Sequence, residues 1–177
     1  MLSDTLFIPT ERLILRLPTV NDAEDIAKNR STDFVMRYNL YAACDAEQII
    51  SELENYEHIL LTEAESGKII GCVSLRDDPI RYHAGSITLH AWLIEEKAYN
   101  GYMAEALRAI IPVLFSEYSR LSIQIFSKNT ASIRLAQKLG FEQEGYIEQA
   151  VRTPSGELFD LVLMSLSKSK AAELYKI

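Results

Sequence analysis

The sequence is poor in cysteine, has no long apolar run and carries no excess of basic charge, and each absence removes a class of protein. Cys44 and Cys72 are the 2 cysteines among 177 residues, and they stand in unrelated contexts without a metal-ligand spacing. Neither a disulfide framework nor a zinc site is expected; both thiols are read as reduced, and no metal is called for. No stretch approaches the roughly 18 uninterrupted apolar residues that a membrane span needs. The start MLSDTLFIPTER lacks the basic and then apolar segments of a secretory signal, so a cytoplasmic protein with no membrane partner is expected. A formal net charge of -7 argues against nucleic acid, which asks for a basic face. The charge suits a cationic substrate, and equally it serves solubility alone. There is no repeat, low-complexity tract or composition break. With 48% apolar and 24% charged residues, a single domain over 1–177 is expected, its core about 10–168 and a polar tail at 169–177.

Periodicity outlines an α/β protein. Arg12 to Leu17 comes close to the alternation of a half-buried strand, and Thr19 then caps a helix from about Val20 to Lys28 with acids in its first turns. Asn29 to Ala43 has no clean period and is read as a partly ordered loop carrying Phe34, Tyr38 and Tyr41. Asp45 opens a second helix, because Asp45-Ala46-Glu47-Gln48 resembles a capping box and Ile49, Ile50, Leu53 and Tyr56 recur at helical spacing. His58 to Thr62 and Lys68 to Leu75 form an antiparallel hairpin across Glu65-Ser66-Gly67, and Ser86 to Ile94 is a long central strand. A helix from about Asn100 to Glu117 follows, its apolar stripe interrupted by Pro112, which predicts a bend or a tightened turn near residue 108. Leu121 to Phe126 is a strand and Asn129 to Leu139 a helix stopped by Gly140. Phe141 to Arg152 and Glu157 to Leu166 form a hairpin across Pro154-Ser155-Gly156, and the tail is a short polar helix or a frayed end. The sum is about seven strands in a mixed, mostly antiparallel sheet flanked by about four helices.

Three segments carry a resemblance. The first is Thr10-Glu11-Arg12-Leu13-Ile14-Leu15-Arg16 with Asn21-Asp22-Ala23. The second is Trp92-Leu93-Ile94, an acidic stretch, and Gly101-Tyr102-Met103-Ala104-Glu105-Ala106-Leu107. The third runs from Asn129 to Tyr146, with Ser132 and Leu139-Gly140-Phe141 at matching spacings. In this order the chain resembles the GNAT acetyltransferases over nearly its whole length, in particular the RimJ/RimL-like branch of ribosomal-protein N-terminal alanine acetyltransferases. The resemblance implies acetyl-CoA as co-substrate, bound by Leu93, Ile94, Ala98, Tyr99, Asn100, Gly101, Tyr102, Met103, Asn129 and Ser132. A diphosphate is well held by backbone N–H groups at a helix start, where the dipole favours negative charge and glycine permits close approach. The loop departs from the family pattern: Ala98 replaces Arg or Gln, Tyr99 stands where a second glycine is frequent, and Met103 replaces Gly or Ala. Asn129 is placed by the resemblance on the pantetheine arm; it is also a good helix cap, and the two readings are compatible.

Acetyl transfer to an amine needs a neutral amine, a donor for the oxyanion and a proton for the departing thiolate. Glu95, Glu96 and His90 are the candidate bases, against the plainer reading of a solvated acidic pair and a packed strand histidine. Many GNAT enzymes protonate the thiolate with a tyrosine seven residues after the asparagine, and that position is Ala136 here. In the RimJ/RimL-like branch a serine three residues after the asparagine takes the part, and Ser132 matches; a serine there also often just bonds to backbone. The oxyanion donor is expected to be a backbone N–H near Leu93 or Ile94. The acceptor is expected between the 29–43 loop and the hairpin around Pro154, with Phe34, Tyr38 and Tyr41 either lining its site or anchoring their loop. The acceptor is a peptide N-terminus or a small primary amine. A homodimer is allowed, and the rival reading is a noncatalytic binding module that lost productive CoA binding.

Overall fold

The computed structural model describes residues 5–39, 42–81, 84–153 and 156–177. Tyr41, Pro154 and Ser155 lie outside the described residues. Eight strands form a sheet of order β1-β2-β3-β4-β5-β6-β8-β7. Contacts divide the chain into two compact units, Met1–Arg76 with His90–Ala109, and Asp77–Leu89 with Ile110–Ile177.

The first unit contains β1 (Phe7–Pro9), β2 (Leu13–Arg16), β3 (Glu57–Glu63) and nearly all of β4 (Ile69–Asp77), each paired antiparallel with the next. It also holds the second half of β5 (Ser86–Leu93). β1 is a short strand that the sequence reading does not contain. Three helices cover this part of the sheet: α1 (Ala23–Arg30), α2 (Asp33–Asn39) and α3 (Ala46–Asn55). Their apolar sides meet in a core of Ile26, Val35, Ile49, Leu60, Cys72 and Trp92. Asp45 and Gln48 form the expected reciprocal cap of α3: Gln48 N–H donates to Asp45 Oδ1 at 2.9 Å and Asp45 N–H to Gln48 Oε1 at 3.0 Å. Thr19 opens a 3-10 turn, Val20–Asp22, before α1 begins. The Asp22 carboxylate there takes both Arg16 guanidinium nitrogens, at 2.7 and 2.8 Å.

The 29–43 segment corrects the loop reading, because α2 occupies its centre. This helix has one fully buried side chain, Val35, so packing onto the core rather than a repeating apolar stripe holds it.

The second unit begins with the first half of β5, which pairs in parallel with β6 (Arg120–Phe126). Strand β8 (Leu158–Ser167) lies antiparallel to β6 and to the edge strand β7 (Glu142–Arg152). Helix α4 (Tyr102–Glu117) belongs to the first unit up to Ala109 and to the second from Ile110, and it stays helical across Pro112. Helix α5 (Thr130–Lys138) ends in paired reverse hydrogen bonds, Phe141 N–H to Ala136 O and Gly140 N–H to Gln137 O, each 3.0 Å. Gly140 has φ +92°, and a Cβ there would stand 2.2 Å from Leu174 Cδ1. The tail therefore forms a docked helix, α6 (Lys168–Tyr175), whose Tyr175 hydroxyl donates to Leu139 O at 2.9 Å.

Candidate active site

In the first unit β5 ends at Leu93, and the chain makes a 3-10 turn over Glu95–Lys97 before reaching α4. Ile94 N–H donates to Ile70 O at 2.9 Å, which ties the end of β5 to β4. The first helical bond of α4 runs from Glu105 N–H to Gly101 O at 3.0 Å, and Gly101 takes φ +83°. The N–H groups of Tyr102, Met103 and Ala104 stand ahead of that bond, as donors at the positive end of a 16-residue helix. These donors belong to the backbone, so the side chains at Ala98 and Met103 do not remove them.

Side chains from far away in sequence hold this loop. Glu105 Oε1 accepts from the Thr10 hydroxyl at 2.6 Å and Arg12 N–H at 2.8 Å, while Oε2 accepts from Arg12 Nε at 2.7 Å. Arg12 Nη1 also donates to Asn100 O at 3.0 Å, and its guanidinium lies 4.1 Å from the Tyr102 ring centroid. Burial pushes the Glu105 carboxyl up, but these hydrogen bonds and the Arg12 charge bring it below its ordinary value. Lys97 pairs with Glu63 and also faces Tyr102, with Nζ 5.4 Å from the ring centroid.

Tyr99 is the unusual residue of the loop. It has φ +62° without being glycine, a conformation that costs on the order of 1–2 kcal/mol for an L side chain. Its side chain nonetheless remains 77% exposed. Tyr38 on α2 meets Phe34 edge-on, with ring centroids 5.3 Å apart. Partial desolvation, then Tyr38 and the nearby Glu95 carboxylate, raise the Tyr99 phenol above its ordinary value, so it stays protonated at neutral pH.

In the second unit Asn129 is the N-cap of α5, and its Oδ1 accepts from Ser132 N–H at 3.2 Å. The Ser132 hydroxyl has no hydrogen-bond partner among the described residues. Ala136 is buried, leaving no hydroxyl at the tyrosine position.

Comparison with known proteins decides the family. The acetyltransferase (GNAT) domain pattern matches residues 12–142. The chain belongs to the GNAT acetyltransferase family. It is an acetyl-transferring enzyme, and the noncatalytic reading falls away. Over 175 residues it is 28% identical to the uncharacterized N-acetyltransferase YoaA of Bacillus subtilis, covering 92% of this chain and 97% of that one. Among solved structures, ribosomal-protein-S5-alanine acetyltransferase from Vibrio fischeri superposes with TM-score 0.81 at 20% identity, covering 92% of this chain and 96% of the other. Spermidine N-acetyltransferase from Vibrio cholerae, in complex with CoA and spermine, gives 0.79 at 19% identity, covering 91% and 98%. These likenesses extend to the fold.

Against the GNAT frame, Leu93, Ile94, Glu95, Glu96, Ala98, Tyr99, Asn100, Gly101, Tyr102 and Met103 lie along one stretch of the first unit, which also contains α2 with Phe34 and Tyr38. Phe34 packs against the core and supports Tyr38. Asn129 and Ser132 share the start of α5 in the second unit. Glu95 and Glu96 are exposed and have no ion pair among the described residues. His90 is exposed on β5; desolvation of its ring, then the Arg76 cation, lower its pKa.

Sequence reasoning missed two features. The Arg12–Glu105 clamp joins the first and second resembling segments, and the signal was there in their unexplained charges. His58 is buried, with Nδ1 2.8 Å from Ser74 Oγ, and burial followed by the Arg76 charge lowers its pKa to about 4. It is a neutral core histidine.

Proposed function

We propose that this enzyme transfers the acetyl group of acetyl-CoA directly to a primary amine, with a protein N-terminal α-amine as the leading acceptor, and that it works in the cytoplasm. The observation that carries the mechanism is the Ser132 hydroxyl beside the Asn129 cap, without a hydrogen-bond partner among the described residues. In this reading the N–H groups at the start of α4, with the 98–103 loop, hold the CoA diphosphate, and Asn129 contacts the pantetheine arm. Glu95 or Glu96, directly or through water, takes the proton of the ammonium. The amine nitrogen then bonds to the thioester carbonyl carbon, and a backbone N–H near Leu93 or Ile94 stabilises the oxyanion. On collapse the C–S bond breaks and the sulfur keeps the electron pair; Ser132 gives its proton to the thiolate, and the proton that the nitrogen releases as the amide forms returns to the Ser132 oxygen, directly or through water. An N-terminal amine, with pKa about 8, asks less of the base than a lysine at about 10.4.

A small cationic amine is the second reading, favoured by Glu95 and Glu96, which are exposed and have no ion pair among the described residues. No helix among the described residues is long and apolar enough to cross a membrane. The test is acetyl-CoA consumption with a peptide bearing N-terminal alanine and with an alkyl diamine. Faster turnover of the peptide supports the leading reading and faster turnover of the diamine the second. Acetyl-CoA binding without transfer to either acceptor would overturn both.

A further inference from the structure

Strand β7 pairs with β8 as far as the row Ile147–Leu161, and pairing resumes only at Val151–Phe159. Glu148, Gln149 and Ala150 therefore stand opposite Asp160 alone, as a bulge in the edge strand. Its middle residue, Gln149, takes φ +49° without being glycine, a region that an L side chain enters at a cost. The Asp160 carboxylate holds that conformation: Oδ1 accepts Gln149 N–H at 2.8 Å, and Oδ2 accepts the hydroxyl of Tyr146. Guarding an edge strand against stray pairing needs only a simple bulge or a charge. A strained turn kept in place by its own carboxylate marks a segment whose shape is used. Its position shows where. Leu161 pairs with Ile147 on one side and on the other with Phe126, the last residue of β6, so the bulge lies one row beyond the end of β6. In that row Asp160 O accepts Ser127 N–H at 3.0 Å, and Asn129 N–H donates to Phe126 O at 2.8 Å where it caps α5. Residues 148–150 and the Asn129–Ser132 turn thus share one end of the sheet within the second unit.

We propose that Asp160 is a positioning residue for the acceptor amine: it fixes the 148–150 bulge as a wall of the acceptor site beside the start of α5. The inference rests on the amine-acetyltransferase reading above. In the sheet, β5, whose end leads into the CoA loop, lies on one side of β6, and β8 and β7 lie on the other. The bulge is therefore on the flank of the α5 start away from the CoA loop, the flank left to the acceptor. Asp160 acts through the bulge and not by touching the acceptor, since both its oxygens are already engaged. Without the carboxylate, Gln149 N–H loses its acceptor and the strained turn relaxes. The acceptor is then held less well, and CoA as before.

The test compares Asp160→Ala, Asp160→Asn and Tyr146→Phe, with whichever of the alanine peptide and the alkyl diamine the wild type turns over faster. The acceptor KM of Asp160→Ala should rise about fivefold, the equivalent of one ordinary hydrogen bond, while the acetyl-CoA KM moves by less than about twofold. Asp160→Asn should recover most of the acceptor affinity, because it keeps an oxygen for Gln149 N–H and an amide that can donate to the Tyr146 hydroxyl. Equal loss in both variants would mean that the charge itself meets the acceptor, and would overturn the positioning role. A lowered melting temperature with both KM values unchanged would make the bulge a guard of the edge strand alone, and parallel rises in both KM values would make it a general support of the fold; either result refutes the proposal. Should Asp160→Ala fail to fold, Tyr146→Phe decides, since it removes one hydroxyl from an exposed side chain. An acceptor KM raised about threefold supports the proposal, and an unchanged one refutes it. A wild type that acetylates neither amine brings down the amine-acetyltransferase reading, and the proposal with it, before any variant is made.

Discussion

The starts of α4 and α5 are the two helix termini to which GNAT resemblance assigns CoA, and they are built in opposite ways. The start of α5 is self-contained: Asn129 caps Ser132 three residues on, and no charged group takes part in that hydrogen bond. The start of α4 is held from outside, by Thr10 and Arg12, 88 to 95 residues away along the chain, acting on Glu105 and the Asn100 carbonyl. A cap that is local in sequence tolerates change elsewhere. A loop held by remote side chains tolerates change within itself, which is how Ala98, Tyr99 and Met103 can stand where the family usually has other residues. Replacing the side chains that do the holding should therefore hurt α4, and replacing those that face the ligand should hurt α5.

The largest effect is expected from Ser132→Ala. Its hydroxyl has no partner within the described residues, so thermal stability should stay as in the wild type, while kcat falls on the order of 100-fold with the acetyl-CoA KM little changed. Stopped-flow or steady-state thiol release measures it. An unaltered kcat would mean that the thiolate takes its proton elsewhere. Next comes Glu105→Gln, which keeps the shape of the clamp and removes its charge. The acetyl-CoA KM should rise roughly fivefold to tenfold, and a value equal to wild type would show that the α4 start needs no external hold.

These two constructions also explain which parts were legible in the sequence. The α5 segment was read closely, because its cap and its Gly140 stop are local patterns whose partners lie within five residues. The Asp45–Gln48 cap and the two hairpins were legible for the same reason. Helix α2 was not: it has seven residues and one buried side chain, and it exists because Phe34 and Val35 meet the core, which no periodicity records. β1 was missed because three residues ending in a proline offer no alternation to count. Of the site, the residue types were visible, but the Arg12–Glu105 clamp joins segments that sequence distance keeps apart.

A smaller effect separates the two roles that Asn129 holds at once. Asn129→Ser keeps a good N-cap, so stability should change by less than about 0.5 kcal/mol, but it withdraws the amide. If Asn129 also touches the pantetheine arm, the acetyl-CoA Kd should rise about threefold in calorimetry, somewhat less than one ordinary hydrogen bond. An unaltered Kd would leave Asn129 as a cap alone.

The smallest expected effect is on acid response, and it tests the comparison without any mutation. The Glu105 carboxyl titrates below its ordinary value of 4.5 in the folded protein, so its contribution is fully present above that value and is lost as pH falls through its lowered folded value. Ser132 and Asn129 carry no group that titrates in this range. Amide hydrogen exchange, corrected for the intrinsic pH dependence and followed from pH 5 downwards, should therefore show the first turn of α4 losing protection before the first turn of α5. Loss at both starts together would mean that acid loosens a larger unit than the clamp, and simultaneous retention would mean that Arg12 and Thr10 hold Glu105 equally well when it is protonated. Only the ordered loss, abolished in Glu105→Gln, fits a loop held by charge at one helix and a neutral local cap at the other.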